Sequence, residues 1–188
     1  MIIKINQTYI GLSHELLLDR AEELGYNVTK NSGSCSQSTV AALKYILDFD
    51  PMLVKASTSL CGGTAVQHLG TCGALAGGIM VLDYYTGRPP DKVSCEEYIP
   101  ENWDILKQAF SGPKSLTDRF INKYGSILCP QLERNLYGRI YYGSDPDEAR
   151  KKKEKQEIIA PNDCFGIVAD VCRWVMDILL QDETDQNS

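Results

Sequence analysis

The chain has 188 residues, 43% of them hydrophobic and 23% charged, enough for one domain with a sizeable core and crowded for two. Its formal charge of -6 comes without a basic face, since the one basic run, 150–155, is short and broken by Glu154, which argues against nucleic acid as a partner. Residues 1–11 lack the pattern of a secretory signal, and the uncharged stretch 56–82 carries six glycines besides Ser57, Ser59, Gln67, His68 and Thr71, so a cytoplasmic chain without a membrane span is expected.

In chain order, Leu16, Leu17, Ala21 and Leu24 recur at helical spacing between Ser13 and Gly25, predicting an amphipathic helix closed by that glycine and a loop over 27–34. Ser34-Cys35-Ser36-Gln37 has the form of a capping box, so a second helix is predicted from there to about Asp48. Beyond the turn at Asp50-Pro51, Leu69, Ala76, Met80 and Tyr84 keep a helical period, predicting one long helix over 63–85 that Gly87-Arg88-Pro89-Pro90 stops. Further helices are predicted over 103–110, 116–124, 130–136, 146–157 and 163–180. The 146–157 segment is rich in charge and poor in apolar residues, which marks a solvated helix or an excursion from the core. Arg139-Ile140-Tyr141-Tyr142 is a candidate short extended piece, but no alternating run demands a sheet. The expected fold is all-α: a single-domain helical bundle over 1–182 with a long glycine-rich central helix, then a disordered acidic tail over 183–188.

Seven cysteines, an odd number in a chain expected to be cytoplasmic, argue against a disulfide framework and for free, metal-bound or catalytic thiols. Cys35 follows its capping serine, Cys129 directly precedes Pro130, and Cys164 follows Asn162-Asp163, so all three are predicted at helix N-termini. There, free N–H groups and the positive end of the helix dipole favour a thiolate, the form that binds metal or attacks a disulfide. Cys72 instead falls inside Thr71-Cys72-Gly73-Ala74-Leu75-Ala76-Gly77 on the predicted long helix. Gly63, Gly70 and Gly77 are seven apart, and Gly73 with Ala74 widens their face into a strip that admits close approach of another helix or of a cluster. His68, four residues before Cys72, shares its side of that helix.

Cys35, the Cys72-Gly73-Ala74-Leu75-Ala76-Gly77 core, Cys129 in Tyr124-Gly125-Ser126-Ile127-Leu128-Cys129, and Cys164 in the last helix together resemble the C-GCAxxG-C-C family of redox-active proteins. The resemblance runs roughly from Ser34 to Leu180, and the family is also similar to the iron-sulfur portion of split-Soret cytochromes. Thr71 stands where the family name has glycine before the second cysteine, and Cys61, Cys95 and Cys172 are additional. No Cys-x-x-Cys-His sequence occurs, so haem is not implied. The resemblance implies a redox role for Cys35, Cys72, Cys129 and Cys164 and permits an iron-sulfur cluster, without naming a substrate.

Three functions follow as expectations. In the first, the four cysteines hold an iron-sulfur cluster, Cys61 and His68 stand as reserve ligands, and a redox partner protein or a small-molecule electron donor or acceptor completes the circuit. Zinc is disfavoured because no two cysteines stand two to four residues apart. In the second, a metal-free thiol-disulfide protein, Cys35 attacks and Cys72 or Cys61 resolves. In the third, a helical interaction protein, the glycine strip forms a homodimer seam. Each cysteine also has the plainer role of a small buried hydrophobe, which suits Cys172 among Val168, Val171 and Val175 best, while Cys95 beside Glu96 and Glu97 is incidental. Without a phosphate loop, a Gly-x-Ser-x-Gly elbow or a His-Glu-x-x-His pair, oxidoreduction is the one enzyme class kept in view.

Overall fold

The computed structural model describes residues 3–93, 99–142 and 145–186, with side chains to 181, and among these residues there are nine α-helices, most of them built on apolar residues recurring every three or four positions. They are α1 (His14–Ser32), α2 (Cys35–Ile46), α3 (Met52–Ala56), α4 (Gly73–Thr86), α5 (Pro100–Ala109), α6 (Ser111–Tyr124), α7 (Cys129–Tyr137), α8 (Pro146–Ile159) and α9 (Cys164–Gln186). Among the described residues there is no strand; Ile5 with Leu47 and Thr71 with Leu128 make isolated bridges only. The all-α bundle expected from the periodicity is the fold. Arg139 to Tyr142 joins no ladder, and Cys95 lies outside the described residues.

The core is organised by α9, whose Ile167, Val168, Val171, Cys172, Val175, Met176 and Leu179 are buried against α1, α2, α4 and α6. Each such side chain contributes roughly 1.5–3 kcal/mol on leaving water. Leu17, Leu18 and Ala21 of α1, Val40, Leu43 and Ile46 of α2, Leu75 and Leu82 of α4, and Leu116 and Phe120 of α6 complete it. On the outer side, Arg173 clips α9 to α1 through Glu15, Asp19 and Glu22.

Three helix boundaries and one helix cap differ from the sequence-based expectation. α1 does not stop at Gly25 but runs to Ser32 and is closed by Gly33 in the left-handed conformation (φ 76°), so the predicted loop 27–34 is mostly helix. Gly25 is a packing glycine: a Cβ there would lie 2.9 Å from Ala169 Cα and 3.0 Å from the Val168 carbonyl oxygen on α9. α2 begins at Cys35 as expected, but no capping box forms. Ser34 makes no side-chain cap bond, and the Gln37 amide donates instead to the Val54 carbonyl (3.3 Å) and Thr58 Oγ1 (3.0 Å). The backbone of α9 continues to Gln186, past the expected end at Leu180; of the acidic tail 183–188, the side chains and residues 187–188 lie outside the described residues.

The largest difference concerns the long glycine-rich helix, of which only 73–86 is helical. Residues 61–72 form a loop in which Gly62, Gly63, Thr64, Ala65, Val66 and His68 all have φ between 47° and 73°. Four of these are not glycine, and such positions cost on the order of 1–3 kcal/mol each unless the surroundings impose them. Here backbone bonds impose them: Ala65 N–H donates to Ser59 O (2.7 Å), His68 N–H to Gly62 O (2.8 Å) and Gly70 N–H to Gly63 O (3.0 Å). The expected strip therefore does not exist as a helix face. Gly63 and Gly70 contact each other, and Gly77 is buried against Ser36 and Thr39 of α2 in the same chain, which removes the seam proposed for a homodimer.

Candidate functional site

Starting the helix only at Gly73 places Cys72 at the N-cap of α4, so all four cysteines of the pattern stand at helix starts, with Cys35, Cys129 and Cys164 the first residues of α2, α7 and α9. The loops before α4 and α7 are joined in an antiparallel bridge in which Cys72 N–H donates to Ile127 O (2.7 Å) and Cys129 N–H to Gly70 O (3.0 Å). This bridge fixes Cys72 beside Cys129. Cys35, Cys61, Cys72, Cys129, Cys164 and His68 line one cavity of about 730 Å³, so the fold brings together every residue proposed for the site from the sequence. Cys172 does not join them; it is fully buried in the core, its Sγ 3.8 Å from the Thr39 carbonyl oxygen.

Close packing shapes the cavity wall. A Cβ on Gly73 would overlap Cys35 Sγ and stand 2.9 Å from the Leu60 carbonyl oxygen, and a Cβ on Gly63 would stand 2.8 Å from Cys129 Cβ. Both glycines are required for the sulfurs to lie where they do. Cys35 Sγ is 3.6 Å from Cys61 Sγ and donates its hydrogen to it.

Sequence patterning missed three side chains of this site. Glu133, one turn after Cys129 on α7, is 1% exposed and accepts from Tyr141 N–H (2.9 Å). It also pairs with Lys152 of α8, and its Oε2 is 3.6 Å from His68 Nδ1. Cys129 Sγ is 3.8 Å from the same His68 nitrogen, and His68 Nε2 is buried without a hydrogen-bond partner. Tyr137 accepts from Cys164 N–H (2.9 Å) at its hydroxyl. The spacing of Cys129 and Glu133, four apart on one helix, was the available signal for Glu133; nothing in the charged run of α8 distinguished Lys152 from its solvated neighbours. α8 is thus not a mere excursion, because Lys152 and Gln156 form part of the cavity wall.

The thiols resist ionisation more than their helix-start positions alone suggest. Burial pushes Cys72 up to about 12 despite N–H donation from Leu75 and Ala74. Burial and the neighbouring Cys72 push Cys129 up to about 12, and burial raises Cys164 against the pull of Lys152 and Tyr137. Cys35 is raised by its hydrogen bond to Cys61 and by burial, and the same bond lowers Cys61 to about 5. Desolvation outweighs the helix ends at Cys72, Cys129 and Cys164, whereas at Cys61 the hydrogen bond from Cys35 outweighs burial. Burial pulls Lys152 down, but Cys164 and Glu133 raise it on balance, so a cation is held against the thiols. Burial holds the His68 imidazole below its ordinary range against the pull of Glu133.

The cysteine order and the shared cavity agree with one comparison: a family model described as "Putative redox-active protein (C_GCAxxG_C_C)" matches residues 33–178. The chain belongs to this family. Searches of curated proteins and of solved structures returned no significant match. In this C-GCAxxG-C-C protein the glycine that geometry requires at the second cysteine is Gly73, which follows Cys72, and Thr71 before it serves in the bridge to Leu128. Among the described residues of the family member no helix is long and apolar enough to cross a membrane.

Proposed function

We propose that the protein is an iron-sulfur redox protein in which Cys35, Cys72, Cys129 and Cys164 hold one cluster, with Cys61 and His68 as reserve ligands. The observation that carries this is the meeting of four thiols, each at the start of a different helix, in one cavity. The donor set suits the group: thiolate sulfur is the ordinary ligand of iron-sulfur clusters, and backbone N–H groups at helix starts supply the sulfur hydrogen bonds that tune their potential. Gly73 and Gly63 keep carbon away from the sulfurs, and Lys152 offers a positive charge to balance gathered thiolates. His68 Nε2, buried and unpartnered, is a spare donor. When bound, the cluster supplies one-electron chemistry; the chain fixes its ligands and holds the counter-charge. Electrons would pass to and from a redox partner protein or a small-molecule donor or acceptor.

Because the thiols are held protonated by burial, loading must release protons, so uptake should weaken as pH falls. The direct test is iron and acid-labile sulfide on protein prepared without oxygen, with the visible spectrum. Brown protein with both, and their loss in Cys72→Ser, is expected. Protein that stays colourless and iron-free after anaerobic reconstitution with iron and sulfide ends the proposal. A second function is favoured by one specific cluster: donor atoms of His68, Cys129 and Glu133 lie within 4.8 Å of one another, a spacing open to a single divalent ion. The same assay separates the two, since bound metal without sulfide supports the mononuclear site.

A further inference from the structure

Cys61 is the cavity thiol that the four-cysteine pattern leaves over, and it lies against one of the four. Its Sγ is 3.6 Å from Cys35 Sγ, and among the described residues no other pair of sulfurs is hydrogen-bonded. Both residues are partly exposed and line the same cavity, which gives a small molecule a route to the pair. The pair is also held from two sides. Cys35 begins α2 and is pinned by the start of α4, where any side chain on Gly73 would overlap its sulfur. Cys61 opens the left-handed loop, whose Val66 N–H donates to the Cys61 carbonyl oxygen (3.0 Å). A disulfide needs about 2.05 Å between sulfurs, so bond formation requires closing only ~1.5 Å.

We propose that Cys61 and Cys35 form a thiol-disulfide exchange site for low-molecular-weight disulfides, and that the bond they form withdraws Cys35 from the metal-ligand set. The second half rests on the cluster proposed above; the first does not. Cys61, which accepts the Cys35 hydrogen, attacks one sulfur of the small disulfide. That S–S bond breaks, a mixed disulfide forms on Cys61, and one small thiol leaves with the Cys61 proton. Cys35 then attacks the Cys61 sulfur, the mixed bond breaks, and the second small thiol leaves with the Cys35 proton. The protein has lost two electrons and two protons to the small disulfide, which is reduced to two thiols; excess small thiol drives the sequence backwards. The roles of attacker and resolver are the reverse of those expected from the sequence, because Cys35 is the donor of the pair.

The test treats the full-length, anaerobically prepared protein with oxidised glutathione, alkylates the remaining thiols, and maps the tryptic peptides. The Cys35 peptide should become linked to peptide 56–92, with fragment ions placing the bond at Cys61 rather than Cys72. The Cys72→Ser variant should form the same link, reduced glutathione should reverse it, and two thiols per chain should be lost to alkylation. Cys61→Ser should form no internal link. Free, alkylated Cys35 and Cys61 after oxidation, a stable mixed disulfide alone, or a Cys35–Cys72 link would overturn the proposal. Iron and sulfide measured beforehand keep the two ideas apart. Iron-free protein that forms the bond upholds exchange and removes the cluster; iron-loaded protein that never forms it keeps the cluster and removes exchange. If both hold, oxidation should release iron from the wild type and leave Cys61→Ser loaded.

Discussion

Replacing Gly77 by alanine sets two effects of known sign against each other. In an exposed helix the change stabilises by about 1 kcal/mol, because glycine loses more backbone entropy on folding. At Gly77 the new Cβ would stand 2.7 Å from the Ser36 carbonyl oxygen and 3.2 Å from Thr39 Cβ. Overpacking costs about 1–3 kcal/mol, and a backbone carbonyl inside α2 cannot rotate aside, which selects the upper half of that range. The net expectation is a loss of roughly 1–2 kcal/mol, or about 2–8 °C in Tm for a chain of this size. Gly112, in the first turn of α6, is the control: a Cβ there would meet Ile178 Cγ2 at 3.5 Å, ordinary contact, so Gly112→Ala should hold or raise stability by up to about 1 kcal/mol. Urea unfolding followed by circular dichroism, with unchanged slope, measures both. Since Ser36 follows Cys35, Gly77→Ala should also displace the Cys35 sulfur. A Gly77→Ala protein as stable as the wild type or more so would refute the close α2–α4 contact, and with it the account of how Cys35 is positioned.

Other consequences are equally direct. Glu133→Gln leaves Lys152 facing the thiols without its buried counter-charge and should lower stability by roughly 3 kcal/mol; adding Lys152→Met should recover much of this in a double-mutant cycle, and additive losses would contradict the pairing. Burial raises Asp163 above its ordinary value; its Oδ1 accepts from Phe165 and Gly166 N–H groups while Oδ2 has no partner. A raised folded-state pKa means that this carboxyl's contribution is present in acid and lost as pH rises through that pKa. Asp163→Asn should therefore be more stable than the wild type at pH 7, with the gap closing toward pH 4; a gap that widens in acid would show the sign to be wrong. Cys172→Ala should cost about 1 kcal/mol through a small core void yet leave metal content unchanged, whereas loss of iron in this variant would mean that the cavity had been drawn in the wrong place.

The periodicity of apolar residues determined the all-α fold, because a helix face must be buried whatever it packs against. Pro130 and Asn162-Asp163, which start helices by backbone rules that act over a few residues, likewise determined that Cys129 and Cys164 begin helices. Tertiary contact decided the rest. Gly25 and Gly33 are the same residue type in the same stretch, and only the nearness of Ala169 makes the first a packing site and leaves the second to close the helix. The helical period through Leu69 was overridden by loop bonds that hold Gly62 to Val66 and His68 left-handed and by the long-range bridge of residues 70–72 to the start of α7, which turned Cys72 from a mid-helix residue into a helix start. Lys152 looked like one more charge in a solvated run, and its place among the thiols depends on where α8 crosses α7, a distance that no local pattern encodes.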